Sequence, residues 1–192
     1  MNSNIEIEAK VLLTAEQYDL LVNHLGLDKY RKVRQTNHYI DSKERILKSN
    51  DIALRIREKE DFVLTLKTPL SEGLLEKNQT ISWREYENFE KTNVFPSGDI
   101  KIFLEMLGFN PNQLEILATL HTERIELNIE DGLLSLDRNT YSNTIDYEVE
   151  VEASSMDRAE EICKKILNEV GIKNFKFNTL SKQNRAMNAL NN

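Results

Sequence analysis

The chain has 192 residues, of which 40% are hydrophobic and 30% charged, and its formal net charge is −7. This length and composition predict one globular domain over residues 1–192 with a substantial core, because the chain is neither short nor of disordered composition. The acidic balance argues against a general nucleic-acid binder and against a protein of anionic membrane surfaces, since both classes are usually basic.

The first patterned stretch is NIEIEAK, residues 4–10, in which apolar residues alternate with Glu6, Glu8 and Lys10. Such alternation is typical of a half-buried strand, and the charged face then meets either bulk water or a bound ligand. The segment before it carries no basic and apolar leader pattern, and no apolar run approaches membrane-spanning length. A cytoplasmic protein without membrane association is therefore the expectation.

Three later stretches predict amphipathic helices. The first begins after Thr14, with Gln17 at the capping-box position, and stops at Gly26. The second runs from Ser97 or Asp99 to residue 108, and the third covers residues 154–171. Cys163, the only cysteine, lies in this third helix, so the chain has neither a disulfide framework nor a cysteine-rich metal site.

Most of the remaining chain alternates with a period of two, which predicts strands. The windows are TNHYID, DIALRIRE, DFVLTLKT, QTISWREYE, LHTERIELNI, GLLSLDRN and IDYEVEVEA. With the first stretch they make about eight strands, the number that closes a small barrel. The predicted fold class is therefore α+β: a closed antiparallel eight-stranded β-barrel, with the helices packed outside.

The charged side chains of these strands segregate by sign. The carboxylates are concentrated on the first and late strands, and the cations on the middle strands. The charged residues at the polar positions of the alternation are Glu6, Glu8, Lys10, Arg55, Arg57, Lys67, Arg84, Arg124, Asp137, Asp146, Glu148, Glu150 and Glu152. Successive glutamates on one face repel one another unless a cation neutralises them, and carboxylate clusters are preferred ligands of Mg²⁺ and Mn²⁺. Paired arginines suit phosphate, whose oxygens accept their charge-assisted hydrogen bonds. The alternative, that these are solvated faces of exposed sheets, stays open at this point.

These residues match a known family in order along the chain. EIEAK resembles the ExExK motif that opens CYTH-domain proteins, the triphosphate tunnel metalloenzymes. NHYIDSKERILKSNDIALRIRE resembles the family's Tyr-x-Asp segment and paired-arginine strand, and LTLK its lysine strand. WREYE, SLDRNTYSNTIDYEVEVE and LSKQNRA resemble its Arg-x-x-Glu strand, its acidic strand and its closing segment. The resemblance extends over about residues 4–190.

The resemblance implies a barrel open at both ends, whose lumen binds a triphosphate. It assigns phosphate oxygens to Lys10, Arg55, Arg57, Lys67, Arg84, Arg124, Lys182 and Arg185. It assigns Mg²⁺ or Mn²⁺ to Glu6, Glu8, Asp137, Glu148, Glu150 and Glu152. The residues implied in catalysis are Glu6, Glu8, Lys10 and Lys67. For Tyr39 and Asp41, which match the Tyr-x-Asp segment, both a functional and a packing role stay open.

Three functions are compatible with such a tunnel, because the fold alone does not determine the chemistry. The leading expectation is a metal-dependent hydrolase of inorganic triphosphate or of a triphosphorylated small molecule. The alternatives are a class IV-like adenylate cyclase and a non-catalytic polyphosphate or nucleotide sensor. The expected partner is the small-molecule triphosphate, with no nucleic acid and no membrane, and a homodimer stays open.

Overall fold

The computed structural model describes residues 2–70 and 74–191, which form nine strands and five α-helices. The strands are β1 (Asn2–Glu6), β2 (Glu8–Leu13), β3 (Val33–Asp41), β4 (Ala53–Glu58), β5 (Phe62–Pro69), β6 (Leu74–Ile81), β7 (Glu115–Ile129), β8 (Gly132–Tyr141) and β9 (Thr144–Ala153). The helices are α1 (Ala15–His24), α2 (Trp83–Thr92), α3 (Asp99–Met106), α4 (Met156–Glu169) and α5 (Lys182–Asn188). Among the described residues, no helix is long and apolar enough to cross a membrane.

All nine strands belong to one antiparallel sheet in the order β1-β6-β5-β4-β3-β7-β8-β9-β2. The two edge strands, β1 and β2, are separated in the chain by Ile7 alone. One extended segment therefore pairs with β6 through its first half and with β9 through its second half, and the sheet becomes a nearly closed barrel with one seam. The predicted antiparallel barrel is confirmed. It has nine strands rather than eight, because the first predicted strand changes its pairing partner at Ile7 and so counts as two. The Ile7 carbonyl accepts a hydrogen bond from the backbone of Ala153.

The outward faces of the strands are apolar and pack against four of the helices. One core joins β2, β8 and β9 to α1 and α4, and includes Val11, Val149 and Cys163. A second core lies between β4, β5 and helices α2 and α3, and includes Leu54, Leu66 and others. Because the cores lie outside the barrel, the alternate side chains of every strand point into the lumen.

Helix α5 packs at one end of the lumen rather than on the outer surface. Its Met187 lies in a small apolar cluster with Tyr39 and Leu120, which project from the lumen faces of β3 and β7. The resemblance implied a barrel open at both ends, whereas here α5 covers one of them. This helix was not among the three predicted, which correspond to α1, α3 and α4.

The strand predicted over QTISWREYE is wrong in its second half. Strand β6 ends at Ile81, and α2 begins immediately after the N-cap residue Ser82. The Ser82 hydroxyl accepts a hydrogen bond from the backbone of Glu85, whose carboxylate accepts one from the backbone of Ser82. This capping box satisfies two backbone donors at the helix start, so it favours a helix over the extended pairing that the alternation suggested.

Candidate functional site

The polar lumen contains a cavity of about 130 Å³. Strand alternation brings nine of the predicted site residues to its wall: Glu6, Glu8, Lys10, Arg55, Arg57, Lys67, Arg124, Glu150 and Lys182. Cations and carboxylates therefore face the same cavity. For these residues the alternative interpretation, a solvated outer face of the sheet, is excluded. The burial of the intervening residues explains the orientation, since Leu54 and Ile56 are 0% exposed in the outer core and leave Arg55 and Arg57 to the lumen.

The cationic side of the lumen is formed by β4 and β5. Arg55 and Arg57 lie two residues apart on β4, and Lys67 on β5 lies one strand further. Burial, together with repulsion from Arg55, lowers the pKa of Arg57 to about 10. Arg57 forms no ion pair with any residue of the described ranges, whereas Lys67 bonds to Glu6 and lies 3.2 Å from Glu76. Arg57 is therefore a half-buried cation whose charge is available to an anion from outside.

An inner carboxylate cluster lies on the opposite side of the lumen, on β8 and β9. It consists of Asp137, Glu148 and Glu150, which offer oxygen atoms within 4.8 Å of one another. The Lys182 ammonium group of α5 lies among them, at 3.0 Å from Asp137, 2.6 Å from Glu148 and 2.5 Å from Glu150. Burial alone would lower the pKa of Lys182, but these three carboxylates raise it well above its ordinary value.

Two arginines complete the neutralisation of the inner cluster. Arg124 donates two hydrogen bonds to Asp137, at 2.7 and 2.6 Å, and a third to Glu150 at 2.5 Å. Arg185 donates to Glu148 at 2.9 Å. Burial disfavours the ionised form of Glu150, yet Lys182 and Arg124 hold its pKa well below the ordinary range. The three carboxylates of the inner cluster are thus matched by three cations, Lys182, Arg124 and Arg185.

A second set of carboxylates, which we term the outer group, lies at the end of β9 farther from α5. It consists of Glu6, Glu8 and Glu152, and Glu8 faces Glu152 across the β2–β9 ladder. Lys10 bonds to Glu8 at 2.5 Å, and Lys67 to Glu6. Burial and repulsion from Glu6 and Glu8 raise the pKa of Glu152. The outer group therefore retains negative charge that its lysines do not neutralise.

Both sets of carboxylates offer the oxygen ligands that Mg²⁺ and Mn²⁺ prefer, but among the described residues only the inner cluster brings three of them within 4.8 Å of one another. The inner cluster has suitable spacing, but a cation bound there must displace or share the position of the Lys182 ammonium group. The outer group has the larger residual negative charge, as the raised pKa of Glu152 indicates. These donor sets contain only oxygen, so softer, thiolate-binding metals do not suit them.

Several polar lumen residues were given no role by sequence reasoning. Glu76 on β6 accepts a hydrogen bond from Asn78 and lies 4.0 Å from Arg55. Asp146 on β9 was noted in the alternation without a role; it accepts hydrogen bonds from Asn139, Tyr141 and Arg185. Asn37 on β3 also lines the cavity. Continuing the alternation through LLEKNQT would have indicated Glu76, whereas nothing in the sequence distinguishes Asn37.

Two predicted site residues are exposed rather than enclosed in the lumen: Glu152, at the end of β9, and Arg84. Arg84 lies in the first turn of α2, where it is exposed to solvent, because the segment is helical rather than extended. Asp41 has a structural role: its carboxylate accepts hydrogen bonds from the backbone of Ser42, Leu47 and Lys48 and so fixes the loop between β3 and β4.

A larger depression of about 470 Å³ lies on the outer surface, across the ends of β3, β7 and β8. Two of its three cations are already paired, since Arg34 lies 3.0 Å and Arg138 3.7 Å from Glu123, and the third, Lys59, is exposed to solvent. Exposed pairs of this kind leave little free charge for a ligand. The lumen, with its unpaired Arg57 and its buried inner carboxylate cluster, is the better candidate site.

Comparison with known proteins agrees with this architecture. A sequence model of the CYTH domain matches residues 4–182. The chain belongs to the CYTH-domain family. Over 173 residues, 90% of each chain, this CYTH protein is 36% identical to a Bacillus subtilis (strain 168) protein named "Putative triphosphatase YjbK".

Solved CYTH-related structures have the same fold. A Bacillus halodurans protein described as a "putative adenylate cyclase" superposes with a TM-score of 0.88 at 38% identity, covering 96% of this chain and 98% of that one. A Hippeastrum protein, named a "putative adenylyl cyclase" and reported to have a dominant triphosphatase activity, superposes with a TM-score of 0.75 over 96% of both chains. At 23% identity this second likeness supports the fold alone.

Proposed function

We propose that this CYTH protein is a metal-dependent triphosphatase that hydrolyses inorganic triphosphate or a triphosphorylated small molecule in its lumen. The observation that carries the proposal is the opposition of Arg55 and the unpaired Arg57 to two sets of carboxylates across one cavity. A partly desolvated cation without a counter-ion is unfavourable, as the lowered pKa of Arg57 indicates, so its presence favours an anionic ligand. The name of the B. subtilis relative supports the same class of reaction.

A triphosphate suits the cationic lining by charge. A fully ionised triphosphate carries about four or five negative charges, which neutralise a crowded set of cations and are stabilised by them. The proposed phosphate ligands are Lys10, Arg55, Arg57, Lys67, Arg124, Lys182 and Arg185. Arg55 and Arg57 are the first of these available to an incoming anion, because Arg124, Lys182 and Arg185 already bond to carboxylates.

Mg²⁺ or Mn²⁺ is the proposed cofactor, with Glu6, Glu8, Asp137, Glu148, Glu150 and Glu152 as its candidate ligands. Such an ion, when bound, polarises a phosphoryl group or activates water. The chain's own contribution is positioning and charge: Lys67 and Lys10 orient Glu6 and Glu8 through their ion pairs. Guanidinium groups fixed in a buried site stabilise negative charge that develops on phosphate oxygens as the bond to the leaving group breaks.

Phosphate release from a substrate panel tests the proposal. Inorganic triphosphate, ATP, GTP and thiamine triphosphate are each incubated with the protein in Mg²⁺, in Mn²⁺ and in chelator. We expect release from at least one triphosphate with a divalent cation and a loss of release in chelator. Equal release with and without divalent cation would contradict metal dependence. Binding of triphosphates without any release would support the sensor function instead.

Adenylate cyclase activity is the second candidate, favoured by the description of the 38% identical B. halodurans structure. In that reaction the same lumen would hold ATP, and the products would be cyclic AMP and diphosphate. Measuring cyclic AMP beside phosphate in the ATP reaction distinguishes the two activities. Formation of cyclic AMP without release of phosphate would show that the protein is a cyclase and not a hydrolase.

A further inference from the structure

Asn37 lies on the lumen face of β3, in the middle of the cationic wall. It pairs in register with Arg57 on β4 and with Leu120 on β7. Its side chain lines the same cavity as Arg55 and Arg57 and is almost fully buried, with 1% of its surface exposed. The residue is therefore placed where a phosphate held by the arginine pair would lie.

Both polar atoms of the Asn37 amide, Nδ2 and Oδ1, are buried without a hydrogen-bond partner in the described part of the chain. Two other lumen asparagines are fully engaged. Asn78 donates to Glu76 and accepts from Thr65, and Asn139 donates to Asp146 and accepts from Thr122. Unsatisfied buried polar groups are rare and costly in native proteins, so the free amide of Asn37 requires a functional explanation.

A second unpartnered donor indicates the direction of the missing ligand. Arg55 Nε is also buried without a hydrogen-bond partner among the described residues, and it lines the same cavity. Two independent strands thus present free polar atoms to one space. The free donors, Asn37 Nδ2 and Arg55 Nε, suit phosphate oxygens.

The free acceptor of Asn37 has a different requirement. An ionised phosphate offers only acceptors, so Asn37 Oδ1 needs a partner that carries a hydrogen atom. In a hydrolytic lumen that partner is the attacking water molecule. A neutral amide accepts a hydrogen bond from water without repelling the phosphate, which a carboxylate at this position would do.

We propose that Asn37 is a catalytic residue that holds the attacking water through Oδ1 while Nδ2 donates to an oxygen of the phosphate under attack. This inference rests on the proposed triphosphatase function. The water oxygen forms a bond to the terminal phosphorus as the bond from that phosphorus to the bridging oxygen breaks, and the bridging electron pair leaves with diphosphate. Both hydrogen atoms of the water remain on the released phosphate until it ionises in solvent. Asn37 neither gains nor loses a proton.

The test compares Asn37→Leu with Asn139→Leu as a matched control. Leucine is similar in size to asparagine and has no polar atoms, so it removes the amide in both places. Thermal unfolding without ligand and steady-state hydrolysis of inorganic triphosphate are measured for both variants. For Asn37→Leu we expect a melting temperature equal to or above that of the wild type, because no hydrogen bond is lost. For Asn139→Leu, which loses two, we expect a decrease of at least about 2–4 °C.

The kinetic result separates catalysis from packing. For Asn37→Leu we expect kcat to fall by about 100-fold or more, as when one positioned donor is removed from an active site, with KM changed by less than about threefold. A melting temperature that falls as far as that of Asn139→Leu would overturn the inference, because the amide would then be bonded within the fold. If the wild type hydrolyses triphosphate and Asn37→Leu does so equally fast, the inference about Asn37 is overturned and the proposed function stands. If the wild type releases no phosphate, the proposed triphosphatase function is contradicted, and with it the inference that rests on it.

Discussion

Replacement of Lys182 by methionine removes the ammonium group at the centre of the inner carboxylate cluster while keeping the length of the side chain. Lys182 lies within 3.0 Å of Asp137, Glu148 and Glu150, and the side chains of Asp137 and Glu148 are 0% exposed. Removing one partner of a buried ion pair costs about 3–5 kcal/mol, because the remaining charge is left uncompensated. Since Arg124 and Arg185 remain beside the cluster, we expect a loss of about 3 kcal/mol in the free energy of unfolding.

The pH dependence of this loss follows from Glu150, whose folded pKa is depressed. A depressed carboxyl pKa contributes stability that is present above the ordinary value of 4.5 and is lost as the pH falls below it. Without Lys182 this contribution shrinks. The difference between wild type and Lys182→Met should therefore be largest at neutral pH and decrease as the pH falls through about 4.5.

Urea unfolding of both proteins at pH 7.5 and near pH 4, with and without Mg²⁺, measures these effects. Lys91→Met is the control, because Lys91 forms an exposed pair with Glu87 and the loss of such a pair should change the free energy of unfolding little. Mg²⁺ should stabilise Lys182→Met more than wild type, since the ion can take the position of the missing ammonium group. A loss at neutral pH no greater than that of the control would refute the assignment of Lys182 as the counter-ion of the cluster.

Three further predictions concern the phosphate and metal ligands. Arg57→Lys should weaken triphosphate binding about tenfold or more in calorimetry, because an ammonium group cannot reproduce the planar fork of the guanidinium; unchanged affinity would place Arg57 outside the site. Arg84→Ala should leave triphosphate turnover within about twofold of wild type, since Arg84 is exposed on α2. A large loss of turnover would show that Arg84 takes part in the reaction. Glu152→Gln should stabilise the metal-free protein at pH 8, where the ionised Glu152 with its raised pKa disfavours folding, but not below about pH 4.5. It should also weaken Mg²⁺ binding. A difference in stability between variant and wild type that is the same at both pH values would contradict the crowding of the outer group.

Alternation of apolar and charged residues was sufficient to predict the barrel and most of its lumen. It succeeded where a strand has one face in a core, as with Leu54 and Ile56 beside Arg55 and Arg57, because a period of two then fixes the direction of every side chain. It failed after Ile81, where the pattern of alternation coincides with a capping box and the local hydrogen bonds of Ser82 and Glu85 favour a helix.

The remaining features depend on contacts between distant parts of the chain. The insertion of Lys182 among three carboxylates requires α5 to pack at the end of the lumen, and its seven residues carry no strong helical pattern of their own. The free amide of Asn37 is visible only once its neighbours are known, because the engaged Asn78 and Asn139 look the same in the sequence.

The seam at Ile7 has a consequence for the order in which the sheet is completed during synthesis. Strand β2 pairs with β9, and the partners Lys10 and Glu150 are separated by about 140 residues of chain. At about 5–20 residues per second, this separation corresponds to about 7–28 s of translation. For that time β2 is an unpaired strand with an apolar face that includes Val11, a form in which strands associate with other chains. Strand β2 thus waits for the last strand of the sheet to be synthesised, and it needs protection the longest.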